Sequence, residues 1–299
     1  MPELPDVTIY VEALEKRCVG RELAAIRLAS PFVLRSVDPP IAEVTGREVV
    51  AVRRLAKRIV FELAEQRFLV IHLMVAGRFK WDPKIGAKIP GRIGVAAFDF
   101  TGAGTLVLTE ASKKKRASLH LVRGEEALKE FSRGGIEPIG STLEEFRAAI
   151  TKERHTIKRA LTDQRLVSGI GNAYSDEILH RAKLSPAKRS DQLTDDEIRA
   201  LHEATQAVLL EWIERLRAET GDGFPENVTA FREEMAVHGK YRKPCPVCGA
   251  PVQRIVYAEN ESNYCAKCQT GGRLLADRSL SRLLKKSWPK TLEELEGGR

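Results

Sequence analysis

Four of the five cysteines form two closely spaced pairs near the C-terminal end of the sequence. Two residues separate Cys245 from Cys248 and Cys265 from Cys268, and 16 residues lie between the pairs. Two such pairs supply four thiolates at the spacing of a tetrahedral zinc site, and four thiolates leave no coordination position open for catalysis. The spacing therefore predicts one structural Zn²⁺. Two disulfides are the alternative, which the acidic, signal-free N-terminus disfavours.

The second group that could do chemistry is the α-amine at the N-terminus. Removal of Met1 would leave Pro2 with a free secondary amine. An α-amine titrates near ~8, compared with ~10.4 for lysine, so part of it is unprotonated and nucleophilic at neutral pH. Glu3 follows directly and could transfer protons. Most prolines after an initiator methionine are unstructured starts, so both interpretations stay open at this point.

Positive charge accumulates next to the cysteines. The chain has 299 residues and a formal net charge of +8. Residues 240–290 hold 11 Lys and Arg against three acidic residues, so the whole surplus lies in this segment. Basic residues beside a zinc site favour nucleic acid over protein as the partner. A solvated surface that keeps the protein soluble is the alternative.

Composition limits the class of protein. Hydrophobic residues make up 43% and charged residues 30% of the chain, which excludes a disordered or fibrous protein. No apolar run approaches the ~18–20 residues that span a bilayer. We therefore expect a cytoplasmic protein without membrane contact, associated with the nucleoid if it is bacterial.

The first part of the chain reads as one helix followed by many short strands. Residues 5–18 have apolar residues at helical spacing, and Pro5 suits a first helical turn. Cys18, at the end of that apolar face, is expected to be buried and inert. Short apolar segments separated by turn residues then predict an antiparallel sandwich or barrel. The predicted strands include Glu48–Arg53, Arg58–Leu63, Phe68–Leu73, Gly94–Phe100 and Thr105–Leu108.

The pattern changes near Gly134–Gly140, where we expect a domain boundary. Overlapping capping boxes that start at Ser141 and at Thr142 are alternative beginnings of a short helix. A capping box at 194–197 opens a longer helix that ends near Gly221. Its apolar face consists of Ile198, Leu201, Val208, Leu209, Trp212, Ile213 and Leu216. Between the zinc-binding pairs, a strand is predicted over Val252–Tyr257 and a turn over 258–261.

Five segments carry a family resemblance. They are MPELPD at the start, Arg53-Arg54-x-Ala56-Lys57, His72-Leu73, the segment 157–177 with Gly169-Ile170-Gly171-Asn172, and His238-Gly239-Lys240 leading into the cysteines. In these segments the chain resembles the formamidopyrimidine-DNA glycosylase/endonuclease VIII family. The matches run in family order over about nine-tenths of the chain.

The resemblance implies an α+β multidomain fold. An N-terminal helix and an antiparallel β-sandwich would occupy residues 1–135, and a helix–two-turn–helix domain residues 136–239. A four-cysteine zinc-finger hairpin would follow at 240–270 and a basic tail at 271–299. The resemblance also implies a monomer that binds damaged or abasic double-stranded DNA in the cleft between the domains.

The implied chemistry is that of a bifunctional DNA glycosylase/AP lyase. Pro2 would attack C1′ of a flipped-out damaged nucleotide, Glu3 would transfer protons, and Lys57 would assist elimination and contact phosphate. An exposed strand charge is the alternative for Lys57. His72, Lys158 and Asn172 match DNA ligands of the family.

Glycine residues of the helix–two-turn–helix segment could serve the same DNA contact. Gly169 and Gly171 would let backbone amides approach a phosphate closely, since neither has a side chain. Without the family pattern, this segment would be an ordinary turn between helices.

The sequence departs from the family where the lesion would be held. Asn260, flanked by Glu259 and Glu261, stands where the family usually has an arginine at the hairpin tip. Asn260 could hydrogen-bond a DNA phosphate, but it carries no charge to support δ-elimination.

Two further departures concern residues that fill the space of a flipped base. Met74-Val75-Ala76-Gly77 replaces Gly-Met-Ser-Gly, so the wedge methionine is lost or shifted by one, and Met74 could simply be core. Residues 111–116 keep four cations but lack the intercalating aromatic. We expect Schiff-base chemistry to persist with altered lesion selection, oxidised purines being the default. The alternative is a DNA-binding or damage-sensing protein that has lost base excision. An RNA- or protein-binding zinc protein would leave the N-terminus unexplained.

Overall fold

The structure is a computed structural model that describes residues 1–226, 228–257, 260–275 and 289–297. Ala258 and Glu259, in the predicted hairpin turn, and residues 276–288 of the predicted basic tail lie outside the described residues. The chain divides into two compact units, each discontinuous in sequence. The first contains Met1–Arg133 and Trp212–Thr229, and the second contains Gly134–Glu211 and Ala230–Arg299. The predicted domain ranges are instead continuous.

Helix α1 (Leu4–Cys18) opens the first unit and agrees with the helix predicted over 5–18. Glu3 and Asp6 form a capping box at its start, which satisfies backbone amides that have no partner within the helix. Its buried face consists of Val7, Tyr10, Leu14 and Cys18, which lie in the main core. Cys18 is fully buried, which confirms the expected burial, and burial raises the pKa of its thiol, so the reactive thiolate forms less readily.

Eight antiparallel strands follow and form one sheet in the order β5-β7-β6-β1-β2-β3-β4-β8. The strands are β1 (Glu22–Leu28), β2 (Arg47–Leu55), β3 (Arg58–Leu63), β4 (Arg67–His72), β5 (Gly77–Asp82), β6 (Gly94–Phe100), β7 (Gly104–Glu110) and β8 (Ser118–Arg123). Only two residue pairs join β1 to β2, so the sheet has two halves of four strands. One core includes apolar residues of both halves, as in a sandwich.

The second unit is mainly helical. Its helices are α2 (Leu143–Thr151), α3 (Ile157–Thr162) and α4 (Asn172–Arg181), and α5 (Asp195–Thr220) contributes residues to both units. Of the two alternative capping boxes, Thr142 with Glu145 forms, because the Ser141 hydroxyl donates to the Pro138 carbonyl instead. The predicted apolar face of α5 is buried throughout.

A hairpin lies between the two cysteine pairs. Strand β9 (Val252–Tyr257) is the predicted strand, and β10 (Asn260–Cys265) pairs with it in antiparallel register. The predicted turn over 258–261 is too long, because Asn260 already pairs with Tyr257. Two short helices, α6 (Ala266–Thr270) and α7 (Leu292–Gly297), follow. None of the helices in the described ranges is long and apolar enough to cross a membrane.

Candidate functional site

The N-terminal residues are part of the packed structure rather than an unstructured start. Pro2 is buried just before α1, and Glu3 is 3% exposed. The Glu3 amide donates to Asp6 Oδ2 at 2.9 Å. This capping arrangement fixes the backbone that carries Pro2, so the amine next to it has a defined position.

Charged side chains surround the N-terminal amine. Burial lowers the pKa of the Met1 amine, and the nearby charge of Glu3 partly opposes that effect. Arg78 and Lys57 lower the same pKa further, whereas Asp6 raises it. An amine in such surroundings loses its proton more readily than an exposed one, as a nucleophile must.

Lys57 lies in a two-residue turn between β2 and β3. Leu55 pairs with Arg58 across this turn, and Ala56 has a left-handed φ of 54°. A non-glycine residue in this region is strained, and such strain is typical of functional sites. Lys57 is 7% exposed, so the alternative of an exposed strand charge is wrong. Burial lowers the pKa of its ammonium, and the charge of Glu3 opposes the shift.

Arg78, which the sequence analysis did not single out, lies at the same site. It is the second residue of β5, directly after the divergent segment 74–77. Its guanidinium donates to the Gly77 carbonyl at 2.6 Å and to the Val75 carbonyl at 3.1 Å, and it also donates to the Val228 carbonyl. Arg78 thereby holds the loop before β5 and places a cation near the amine. The sequence signal that could have identified Arg78 is its position directly after residues 74–77, where the family has its wedge methionine.

The loop before β5 presents two side chains away from the core. Met74 has a φ of 53° and is half-buried outside the main core cluster, so the alternative that it is core is wrong. Val75 is 59% exposed. A Cβ at Gly77 would lie 2.2 Å from the Leu73 carbonyl oxygen, so this tight turn requires glycine.

His72, at the end of β4, is half-buried and pairs with Arg58 on β3. Burial and, after it, the cations Arg58, Lys57 and Arg133 together lower the pKa of His72 to about 4. The imidazole is therefore neutral at neutral pH and offers a hydrogen-bond donor without charge.

A buried carboxylate holds the cation-rich loop after β7 in place. The Glu110 carboxylate is 1% exposed and accepts the amides of Arg116 and Ala117 at 3.0 Å. Lys115 donates to the carbonyls of Arg92 and Glu110. The side chains of Lys113, Lys114 and Arg116 are exposed. Lys115 is exposed as well, and contact of the four cations with phosphate stays a prediction.

Lys158 and Asn172 lie together in the second unit. Lys158 Nζ donates to the Asn172 carbonyl at 2.9 Å and pairs with Asp176. The Asn172 side chain donates to the Glu261 carbonyl on β10. Lys158 thus joins α3 to α4, and Asn172 joins α4 to the hairpin, while their contacts with DNA stay a prediction.

The glycine-containing turn before α4 is stabilised by one glutamine. The Gly169 amide donates to Gln164 Oε1 at 2.9 Å, and Gln164 Nε2 donates to the Ile170 carbonyl at 2.8 Å. The expectation that the Gly169 amide contacts phosphate is not supported, because this amide already has a partner. The N-terminus of α4 follows at Asn172 and is favourable for an anion.

Asp176, a second residue that the sequence analysis missed, joins several segments. It is fully buried and accepts His238 Nδ1 at 2.8 Å and the Asn263 amide at 3.1 Å, in addition to Lys158. Its sequence signal was its place between Tyr174 and Glu177 in the family-like segment, where a carboxylate on a buried helix face needs partners.

Glu177 anchors the segment that leads into the zinc site. Its carboxylate accepts the backbone amides of Ala236 at 2.7 Å, Val237 at 3.0 Å and His238 at 2.9 Å. Burial raises the pKa of Glu177, and the three amides counteract that shift. A charge-assisted contact of this kind fixes the path of residues 236–238.

The four cysteines converge at the base of the hairpin. All four Sγ atoms lie within 4.8 Å of one another, with Cys245 to Cys268 at 3.9 Å and Cys248 to Cys265 at 3.3 Å. Tetrahedral Zn²⁺ with ~2.3 Å bonds needs sulfurs ~3.8 Å apart, so the donor set fits one structural zinc. His180 Nε2 lies 3.3 Å from Cys245 Sγ, the position of a hydrogen-bond donor to a ligating thiolate.

A second group of possible metal ligands is an ion-pair network. Glu153, His155 and Asp163 bring ligand atoms within 4.8 Å of one another. Arg165 donates to Asp163 at 2.6 Å and lowers the pKa of that carboxyl to about 2. The Arg165 cation already neutralises the Asp163 carboxylate, which a metal ion would need as a ligand. This group is therefore not assigned a metal.

Asn260 is the first residue of β10 by its backbone pairing. Its side chain lies outside the described residues, so its predicted contact with DNA stays a prediction.

Family models match three segments of the chain. Residues 1–123 match the formamidopyrimidine-DNA glycosylase N-terminal domain, and residues 135–222 match the formamidopyrimidine-DNA glycosylase H2TH domain. Residues 242–271 match the zinc finger found in FPG and IleRS, which includes all four clustered cysteines.

Curated relatives extend the match over most of the chain. The formamidopyrimidine-DNA glycosylase of Lactococcus lactis is 31% identical over 279 residues, covering 90% of this chain and 99% of the relative. That of Symbiobacterium thermophilum is 33% identical, covering 90% and 89%. A formamidopyrimidine-DNA glycosylase-like protein of Mycobacterium tuberculosis is 39% identical over 151 residues, covering 50% of this chain and 94% of the relative.

Solved structures agree with these relatives. The Lactococcus lactis protein in complex with tetrahydrofuran-containing DNA and an inhibitor has a TM-score of 0.80 at 28% identity, covering 90% of this chain and all of that one. The complex of the same protein with abasic-site DNA has a TM-score of 0.79 at 28% identity, covering 90% and 99%. The chain therefore belongs to the formamidopyrimidine-DNA glycosylase family.

Proposed function

We propose that this protein is a bifunctional DNA glycosylase/AP lyase of base excision repair. The observation that carries the proposal is the N-terminal amine, which is held by the capped start of α1 among Glu3, Lys57 and Arg78. Removal of Met1 would leave the Pro2 amine in this region, with an acid/base group adjacent and a buried lysine nearby.

The reaction follows from these groups. The lone pair of the Pro2 nitrogen attacks C1′, and the bond from C1′ to the damaged base breaks, so that the base leaves with a proton. Opening of the sugar ring, with proton transfer to its oxygen through Glu3, gives an iminium. Loss of a C2′ proton then breaks the C3′–O bond and releases the 3′ phosphate, and water hydrolyses the iminium to free Pro2.

Groups on both units support binding to damaged or abasic double-stranded DNA. On the first unit, Lys57 and His72 would contact phosphate, and on the second unit Lys158, Asn172 and the N-terminus of α4 would do so. Zinc holds the hairpin that carries Asn260. We propose that the protein acts as a monomer in the compartment that contains the chromosome.

The substrate we propose is an oxidised purine, with weaker holding of the lesion than in the usual family pattern. Lys115 is turned to backbone carbonyls, Val75 rather than a methionine is the exposed residue before β5, and Asn260 brings no charge. Excision should therefore tolerate changes of the damaged base more than changes of the backbone around it.

A panel of duplexes, each with one damaged base or an abasic site, tests this function. We expect base release and strand nicking with at least one oxidised purine, and nicking at the abasic site. An undamaged duplex is the control. Absence of both base release and nicking across the panel, with binding demonstrated, would contradict the proposal.

The second candidate function is DNA binding or damage sensing without base excision. The backbone contacts of Lys115 favour it, because they engage one of the four cations of the loop that would hold the lesion. The intact mass of the purified protein distinguishes the two functions. Retained Met1 would block the amine and support the sensing function, whereas a mass without Met1 supports the enzyme.

A further inference from the structure

A group of basic side chains, two arginines and two histidines, lies at one end of strands β3, β4 and β8. Arg58 pairs directly with His72, and His72 pairs with Ser118 on β8. His120 is two residues further along β8, so it lies diagonally from His72 on the same face of the sheet. The cation cluster is defined here as Arg58, His72 and His120 together with Arg133, which follows Phe131 by two residues and whose charge acts on Arg58 and His72.

An aromatic ring packs against this cluster. Phe131 ends the 3₁₀ helix Glu125–Phe131, which follows β8. Its carbonyl accepts Arg58 Nη1 at 2.9 Å, and the Arg58 guanidinium lies 5.8 Å from the ring centroid. The His120 ring meets the same ring edge-to-face at 5.0 Å. Arg58 and His120 are therefore held in place, as a preorganised site requires.

Within the part of the chain that the structure describes, the cation cluster has no carboxylate in an ion pair with it. Among the described residues, neither Arg58 nor Arg133 forms an ion pair with an acidic side chain. Other arginines of the same unit do: Arg53 pairs with Glu125 at 2.8 Å, and Arg67 pairs with Glu43 at 2.9 Å. Cations gathered without an acid repel one another, and an anion relieves that repulsion.

Burial and the neighbouring cations both lower the pKa values of the cluster. Burial and Arg133 lower the pKa of Arg58, and burial, Arg58 and Arg35 lower the pKa of His120. The pKa of His72 falls to about 4. No acidic group is among the charges that act most strongly on either histidine.

We propose that the cation cluster binds a second backbone phosphodiester of the DNA, adjacent to the one contacted by Lys57. Arg58 and Arg133 supply the charge, and the imidazole N–H groups of His72 and His120 supply hydrogen-bond donors. This inference rests on the proposed function, because His72 belongs to both contacts. In this proposal, Arg58, His120 and Arg133 contribute to the affinity for the DNA backbone and not to the selection of the damaged base.

The test is the affinity for a duplex with a stable abasic-site analogue, measured over a series of salt concentrations. Arg133→Gln changes an exposed side chain, and Arg58→Gln removes the central cation. We expect each to weaken binding by about tenfold and to reduce the slope of log affinity against log salt by about 0.9, the value for one lost phosphate contact. Arg58→Lys should recover part of the affinity. Arg123→Gln, an arginine paired with Glu43, is the matched control and should leave the slope unchanged.

Proton uptake gives a second readout. A phosphate facing His72 and His120 raises their pKa values from the lowered ones of the free protein, so binding takes up protons. Arg58, Lys57 and Arg133 face His72, and Arg58 and Arg35 face His120. Affinity should therefore rise as the pH falls from about 8 to about 6, and His120→Gln should weaken that dependence.

Wild-type affinity and salt slope in both arginine variants would overturn the proposal, as would equal losses in Arg58→Lys and Arg58→Gln. The chemistry of the wild-type protein is measured in parallel, as borohydride trapping of the covalent complex with abasic-site DNA and as nicking of that DNA. Normal chemistry with unaffected arginine variants contradicts the cation cluster alone. Arginine-dependent binding without chemistry contradicts the lyase function alone.

Discussion

Lys57 is the residue at which stability and the proposed chemistry conflict most directly. An ammonium that is 7% exposed loses hydration, and Glu3 restores only part of that loss, as the lowered pKa shows. The neighbouring Ala56 is strained as well. A site that selection kept only for stability would have an apolar side chain here.

We therefore expect Lys57→Met to stabilise the protein and to slow strand cleavage. The unfolded chain binds the Lys57 proton more tightly than the folded protein, so wild-type stability rises with pH between the lowered pKa and ~10.4. Methionine removes this dependence. The gain in melting temperature, about 2–4 °C for each kcal/mol, should be largest near neutral pH and shrink towards about pH 10.

Thermal unfolding of both proteins over that pH range measures the effect. Lys80→Met, on an exposed lysine of β5, is the control and should show no such trend. If the difference in melting temperature between the wild-type protein and Lys57→Met does not change with pH, the lowered pKa of Lys57 is not its cause and the explanation is refuted.

We expect Asn260 to determine how far cleavage proceeds. We expect the wild-type protein to stop mainly after β-elimination, and Asn260→Arg to add δ-elimination, because a guanidinium stabilises the departing phosphate as amide groups cannot. One charge-assisted phosphate contact is also worth about tenfold in affinity.

Gel mobility of the cleaved fragments separates the two products. Asn260→Gln, which adds no charge, should behave as wild type. Complete δ-elimination by the unmodified protein would show that another cation takes this role.

Sequence reasoning found site residues whose chemistry depends on local spacing. The cysteine quartet is of this kind, whereas local sequence left Pro2 and Glu3 open and only the family resemblance gave them a role. Arg78 and Asp176 were missed, because each acts through partners distant in sequence. The Asp176 carboxylate joins Lys158, His238 and Asn263 only after the helices and the hairpin have packed.

At the scale of elements, Glu177 on α4 anchors the segment before the zinc site. We expect Glu177→Gln to destabilise the second unit by about 2–4 kcal/mol, because an amide cannot replace a carboxylate that accepts three buried backbone N–H groups. Release of zinc to a coloured chelator should become faster.

Glu211→Gln is the matched control. Glu211 pairs with Arg181 at 2.7 Å on the exposed surface, where a pair contributes about 0–1 kcal/mol. Equal effects of the two substitutions on unfolding and zinc release would contradict the anchoring role.

Zinc organises the hairpin, since its small core consists largely of the ligands themselves. Val237 and Val252 pack with Cys245 and Cys265, and few other apolar groups are present. We expect zinc removal to increase amide hydrogen exchange over about 237–270 and to weaken DNA binding, with recovery on zinc addition. Unchanged exchange protection after verified zinc loss would contradict this view.

Element boundaries followed from the sequence where capping or periodicity was strong. Helix α1, strand β9 and the buried face of α5 agree with prediction, whereas the hairpin turn is shorter than predicted. Strands β1, β5 and β8 were not singled out, because their polar and charged residues obscure the apolar alternation. Pairing with neighbouring strands determines them instead.

At the scale of the whole molecule, charge and chemistry are separated along the chain. The surplus of basic residues lies in 240–290, whereas the amine, Glu3 and Lys57 lie in the first unit. The C-terminal charge is suited to general affinity for DNA and the N-terminal groups to bond breaking. Loss of DNA affinity should therefore leave the bond-breaking chemistry measurable, and loss of the chemistry should leave DNA binding measurable. The central claim can thus be tested by itself.

That claim is that the N-terminal amine forms the bond to the sugar. Borohydride reduction during reaction with abasic-site DNA should give a one-to-one covalent complex, and peptide mapping should locate the adduct on Pro2. A variant extended by residues before Met1 should bind the same DNA without forming the complex. Absence of an adduct from the processed wild-type protein under binding conditions, or an adduct on a lysine instead, would contradict the account.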